Sequence, residues 1–254
     1  MGRFIAGLDI GIIALTFALV MLLVWGIGKW MGHRLRSEGN TKPSEFDDAS
    51  RALLGLLLAF TFGVSFTKYD QRRITVVADS NAIGDFYTCA ALLKDPTRTK
   101  LQTVIWEYAE LRPDLARKQI SSSDLEGALV RFEQMHRKMT ELVRQALSDG
   151  TPIAVPLTNT LNAVTSSQAA RLDAFRDPLP ASIVMLLFVS AIITALLIGR
   201  EQGRAGNSEV AGTLCFILLV TIAIYVTLDL NRAQLGLIRV SQEPIERLLS
   251  SMPK

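Results

Sequence analysis

The sequence predicts an all-α membrane protein: four transmembrane helices, with a helical soluble domain between the second and third. Three observations predict it. Four apolar segments carry no charge: Ala14 to Ile27 (extended back to Ile10), Ala52 to Thr67, Leu179 to Gly199 and Val210 to Leu228. A long polar insert, Lys68 to Asp177, separates the second segment from the third. No stretch alternates convincingly between apolar and polar residues, so no strand is predicted. The chain divides into 1–67 (spans one and two), 68–178 (soluble domain), 179–228 (spans three and four) and 229–254 (C-terminal tail).

A bilayer core of about 30 Å needs roughly 20 apolar residues in a helix. The first, third and fourth segments meet that length. The second falls a turn short, which is tolerable inside a bundle or along a wet path. The first has Arg3 before it but no small-residue cleavage site before the basic stretch Lys29 to Arg36, so it reads as a retained span and not a signal peptide. Trp25 and Trp30 at its end suit the membrane interface.

The second span starts after Pro43, Ser44, Asp47 and Asp48. Either aspartate is a candidate cap. No breaker follows Thr67. Val76, Ser80, Ile83, Tyr87 and Ala90 continue at helical spacing, which predicts one helix from about Ala52 to about Leu93. Asp95-Pro96 is a cap followed by proline at the first helical position. Leu101, Val104, Ile105, Tyr108 and Leu111 form an amphipathic face, and Pro113 is expected to end that helix. Ser123 with Glu126 fits a capping box. It opens a helix carrying Leu125, Leu129, Phe132, Met139 and Val143 and ending at Gly150. After Pro152 and Pro156 comes a last insert helix, with Leu157, Leu161, Val164, Gln168 and Leu172 in register. Its Thr/Asn/Gln-rich stripe, Thr158 to Gln168, is unusually polar. Asp177-Pro178 introduces the third span.

The 254-residue chain is 49% hydrophobic with a net charge of +3. The insert holds 15 Lys and Arg against 14 Asp and Glu, so it lacks the basic excess of a nucleic-acid binder. Cys89 and Cys215 are far apart and form no CxxC pair, so no disulfide framework is expected. Charges flanking the spans divide almost evenly, with Lys29, Arg34, Arg36, Lys42, Arg200 and Arg204 on one side and Arg3, Arg232, Arg239, Arg247 and Lys254 on the other. The first span alone slightly favours its following loop inside, which would put the insert outside.

Enzyme signals are poor. The chain has no P-loop, GxSxG or HExxH motif. Glu133-x-x-His136 is half of a di-iron bundle motif, but the insert has no second histidine, so a solvated helix face is the better reading and no metal or cofactor is expected. Cys89 reads as a small buried residue and not a nucleophile. Asp9, Asp229 and Arg232 sit near span ends, where interfacial placement accounts for them.

The second span is the informative one. Leu56 and Phe60 lie one turn apart, and Gly63 and Thr67 continue that face. Phe62 and Phe66 form a neighbouring pair. Such a face serves lipid or helix packing, or it forms an apolar constriction that gates a pore by dewetting. Gly55 and Gly63 would let helices approach closely.

The segment Leu54 to Phe66, followed by Tyr69-Asp70, Arg72-Arg73, Val77 and Asn81-Ala-Ile-Gly84, resembles the bacterial bestrophin-like family of unknown function. The tail elements Asp229-Leu-Asn-Arg232, Gly236-Leu-Ile-Arg-Val-Ser241 and Glu243-Pro244 resemble its C-terminal signature, although Asn231 and Ala233 stand where an Asp and a Pro are expected. The family is distantly similar to true bestrophins, which are pentameric ion channels with four spans per subunit. The resemblance implies a homo-oligomer, a pentamer in the family's pattern, in a bacterial inner membrane, with membrane lipids and inorganic ions as partners. It implies a cytosolic insert and termini, and a neck formed by Leu56 and Phe60. Ala52 stands where a third large neck residue is expected. Thr61, Ser65, Thr67 and Lys68 are candidate pore-wall positions. The rival reading is a non-conducting membrane sensor or scaffold with a helical interaction domain.

Overall fold

The computed structural model of the chain describes residues 10–34, 45–117, 122–206, 209–232 and 236–253. Every regular element among them is a helix: α1 (Ile10–Arg34), α2 (Glu45–Ala90), α3 (Thr97–Arg117), α4 (Ser122–Ser148), α5 (Ala154–Arg176), α6 (Ala181–Ala205), α7 (Val210–Asn231) and α8 (Glu243–Ser251). Four helices are long and apolar enough to cross a membrane, and the four predicted apolar segments lie within them, except for Leu179 and Pro180, which precede α6. Arg3, Asp9, Arg36, Lys42, Pro43, Ser44, Ala233 and Lys254 lie outside the described residues, as does the side chain of Ser123.

The chain forms two compact units. The membrane unit comprises residues up to Lys68, Pro178–Arg232 and Gly236–Ile238. Phe17 and Met21 of α1, Leu54 of α2, Leu187 and Ala191 of α6 and Ile224 of α7 share its buried core. Two pairs of glycines bring α1 and α6 backbone to backbone. A Cβ on Gly28 would lie 2.2 Å from the Leu196 carbonyl oxygen, and one on Gly32 would lie 2.1 Å from that of Arg200. In return, a Cβ on Gly199 would meet the Trp25 oxygen at 2.2 Å, and one on Gly203 would meet the Lys29 oxygen at 2.2 Å. Higher numbers on α1 meet higher numbers on α6, so the two helices run parallel. That is the direction odd-numbered spans must share. The Trp25 indole donates to Gln202 (3.0 Å), whose amide donates to the Thr213 hydroxyl of α7 (2.7 Å).

Asp47 and Asp48 do not cap α2, because the helix begins at Glu45 and holds them in its first turn. There their charge suits the helix dipole. Asp47 is buried and accepts from Arg200 (3.3 Å), while Asp48 accepts from Arg51 (3.0 Å).

The soluble unit comprises Tyr69–Asp177, 233–235 and Arg239–Lys254. The expected unbroken helix is present: α2 runs without interruption past Thr67 to Ala90. Its second half joins Leu101, Ile105 and Tyr108 of α3, Met139 of α4, Leu157 of α5 and Met252 of the tail in one core. Tail residues Val240 and Ile245 bury against Val76 of α2.

Two local expectations fail. Pro113 does not end α3, which continues to Arg117. A proline removes one backbone hydrogen bond. Here the side chain just before it, Arg112, is tied to Asp79 and to Tyr108 of the preceding turn, which holds the chain in helical register. On α5 the buried position after Val164 is Arg171, not Leu172, which is only half-buried. Arg171 lies seven residues from Val164, and a buried acceptor makes its charge tolerable there.

Candidate functional site

At 3.6 residues per turn, Leu56, Phe60, Gly63 and Thr67 fall within an arc of about 60° on α2. Leu56 is 68% exposed and Phe60 60% exposed within the protomer. Thr67 is exposed, and its hydroxyl donates to the Gly63 carbonyl (3.0 Å). Lys68 is half-buried and stands about 100° round the helix from Thr67, toward the side of Thr61. Ala52, Phe62 and Phe66 widen the exposed arc. Gly55 and Gly63 also lie open: a Cβ on either meets nothing within 4 Å, so neither brings two helices of the protomer together. The glycines that do so are on α1 and α6.

Thr61 and Ser65 are on the opposite side. Thr61 is 1% exposed and Ser65 0%, both turned toward the protomer's own helices, so neither belongs to the exposed face. Polarity suggested a wet wall for them. Thr61 instead satisfies its hydroxyl on the Leu57 carbonyl one turn back (2.6 Å), which makes burial among apolar helices inexpensive. The Ser65 hydroxyl is buried with no hydrogen-bond partner among the described residues.

The basic stretch just after the span splits by face. Arg73 is exposed and pairs with Asp70 (3.0 Å). Its neighbour Arg72 is buried and donates through Nε to the Ala174 carbonyl of α5 (3.2 Å). Burial lowers the Arg72 pKa, and Asp177 opposes that shift.

A buried polar network lies deeper in the soluble unit. Asp79 of α2 is fully buried and accepts from two guanidiniums, Arg112 of α3 (3.2 Å) and Arg171 of α5 (2.9 Å). Ser167 donates to the same carboxylate (3.0 Å). Arg112 also donates to the Tyr108 hydroxyl (2.6 Å), which donates to Gln168 (2.7 Å). Arg171 donates to Gln242 of the tail (2.7 Å). The Arg112 guanidinium lies over the rings of Tyr108 (4.7 Å) and Phe132 (4.4 Å). Burial lowers the Arg171 pKa, and the neighbouring Arg112 charge lowers it further. Burial also pushes the Tyr108 phenol up to about 12. This arrangement joins four segments around one carboxylate. Sequence reading missed it, because its members lie 33 and 92 residues apart and each alone resembles a solvent-facing charge.

Among the described residues no group of three or more His, Cys, Asp or Glu could hold a metal ion. Glu133 pairs with Arg137 along its own helix (2.5 Å), and His136 Nε2 lies 3.3 Å from the Thr165 hydroxyl. Cys89 is buried and Cys215 exposed, and both are free thiols.

The end of the fourth span explains the tail pattern. Asp229 is buried within the protomer and accepts from the backbone N–H groups of Leu237 (3.2 Å) and Ile238 (2.8 Å). Gly236 must be glycine for this turn: a Cβ there would lie 2.2 Å from the Asp229 carboxylate. Asn231 accepts from the Leu179 N–H (2.7 Å) and so ties the start of the third span to the end of the fourth. Gly84 serves the soluble unit in the same way, since a Cβ there would press on Leu248 of α8 at 3.0 Å.

Fold and site together define a four-span, all-helical membrane protein with a large soluble helical unit inserted after the second span. Residues 14–245 match the family model of the bestrophin-like domain, and the chain belongs to that family. No curated protein and no solved structure matches the chain.

Proposed function

We propose that this chain is the subunit of an oligomeric ion channel of a bacterial inner membrane, with α2 lining the pore. One observation carries the reading: Leu56 and Phe60 stand exposed, one turn apart, on a helix whose opposite face is used up by its own protomer. Repeated around a symmetry axis, two such side chains make a narrow apolar ring that water enters reluctantly. Thr67 and Lys68 supply polar and charged wall positions below it. Family membership supports a pentamer of subunits with a cytosolic soluble unit, and inorganic ions as the permeant species. No cofactor is needed for such a function.

The test is recording of the purified protein in planar bilayers across a panel of anions and cations. Phe60→Ala should raise flux, and Leu56→Ala should act in the same direction, because truncation widens the ring and eases its wetting. Equal flux through Phe60→Ala and wild type, with the oligomer intact, removes Phe60 from the constriction. If neither protein conducts, a non-conducting sensor or scaffold replaces the channel.

A further inference from the structure

α1 has two unlike faces. The face toward α6 carries Gly28 and Gly32 and is closed by backbone contact. The opposite face is bare over its whole length. Leu19 is 53% exposed, Leu23 68%, Ile27 53% and Trp30 56%, and at 3.6 residues per turn they form one column. Arg34 stands on top of that column. Its guanidinium lies 3.9 Å from the centroid of the Trp30 ring. A guanidinium held against a ring face can keep the N–H donors in its plane free to bond, and Arg34 is exposed. Among the described residues nothing accepts from those donors.

Among the described residues the acidic groups with a salt bridge at this end of the membrane unit bond to other arginines. Asp47 accepts from Arg200, and Asp48 and Glu201 accept from Arg51. Glu209 is exposed at the start of α7. Lys29 sits over the Trp25 ring at 5.4 Å, on the side of α1 nearer α6.

We propose that Trp30 and Arg34 form a binding site for the phosphodiester of one bilayer phospholipid. The Arg34 edge takes two phosphate oxygens in the fork geometry that a guanidinium offers and an ammonium does not. The indole packs on the glycerol region, and an acyl chain lies along Ile27, Leu23 and Leu19. One leaflet of about 15 Å corresponds to about ten helical residues, which is the distance from Trp30 down to Leu19. Occupant and site therefore agree in length as well as charge. The proposal rests on the membrane-spanning reading of α1 and not on conduction.

The test uses the full-length protein in mild detergent, with native mass spectrometry after addition of phosphatidylglycerol, phosphatidylethanolamine or phosphatidylcholine. Wild type is expected to retain one phospholipid per protomer, with any of the three head groups, because the phosphodiester is common to all. Arg34→Gln should reduce the bound fraction about tenfold, the loss of one charge-assisted contact. Arg34→Lys should rescue it only in part, because the point charge returns without the planar fork. Trp30→Leu should also reduce it. Arg204→Gln, elsewhere on α6, should leave it unchanged. Equal retention by wild type and Arg34→Gln, or full rescue by Arg34→Lys, overturns the proposal. So does displacement of the lipid by inorganic phosphate or glycerol phosphate at matched concentration, which would make this a site for the free anion.

Discussion

The two units of this protein hold themselves together by opposite means. In the membrane unit α1 and α6 meet through glycines, with nothing between the two backbones. In the soluble unit α2, α3, α5 and the tail meet around a buried carboxylate and two guanidiniums. The solvent accounts for the difference. Lipid tails are as apolar as leucine, so helices gain little by burying leucine against leucine. Close approach and van der Waals contact must hold them instead. In water, burying Phe86, Leu101 and Tyr108 is itself favourable. That core can then surround three charges, provided each finds hydrogen-bond partners.

The comparison breaks most sharply at Asp79. Asp79→Ala leaves Arg112 and Arg171 buried beside each other without their shared acceptor. Removing one partner of a buried ionic group typically costs about 3–5 kcal/mol. The soluble unit should melt at a much lower temperature, read by circular dichroism of the purified protein. Asp79→Asn keeps the shape and one acceptor, so its loss should be smaller. A wild-type melting curve for Asp79→Ala would mean that the network does not hold the unit together.

The membrane unit is challenged by a single methyl group. Gly203→Ala places a Cβ 2.2 Å from the Lys29 carbonyl oxygen, and Gly32→Ala places one 2.1 Å from that of Arg200. Backbone must move, and overpacking of this kind costs about 1–3 kcal/mol. Gly55→Ala and Gly63→Ala meet open space within the protomer and should leave the melting of the dissociated subunit unchanged. The same two variants sharpen the oligomer question. If Gly63→Ala destabilises the assembled protein but not the subunit, a neighbouring copy packs against that face.

The spans and the unbroken α2 were legible in the sequence. Uncharged length alone marks a bilayer helix, and no proline or glycine pair interrupts Ala52 to Leu93. The exposed placement of Leu56 and Phe60 agreed with their spacing. Thr61 and Ser65 went astray because composition reports polarity, whereas burial depends on whether a hydroxyl can bond its own backbone. The α1–α6 contact was within reach: Gly28-x-x-x-Gly32 and Gly199-x-x-x-Gly203 have the spacing of close-packed membrane helices. The glycines of α2 drew attention instead and proved open. The Asp79 network lay beyond single-chain reading, because its charges look ordinary until the fold removes their water. Arg171 offered the one hint, falling in the register of an apolar stripe where Leu172 had been expected to bury.

The smallest effect tests the soluble unit's sensitivity to charge at an imidazole with no ion pair among the described residues. His136 of α4 keeps Nδ1 buried with no hydrogen-bond partner among the described residues, and its Nε2 lies 3.3 Å from the neutral Thr165 hydroxyl of α5. Glu133 and Arg137, beside it on α4, pair with each other. Burial lowers the His136 pKa below its ordinary 6.5. As pH falls through that ordinary value, the unfolded chain takes up the proton before the folded one does. Stability then drops with falling pH and levels off once the folded imidazole is also protonated. Melting of wild type and His136→Gln, followed from about pH 7 to about pH 5, should show the steeper loss in wild type. Gly203→Ala, which adds a methyl group and no titratable atom, should show the same pH slope as wild type. Parallel slopes for wild type and His136→Gln would mean that water reaches Nδ1 in solution and that the imidazole is not held neutral.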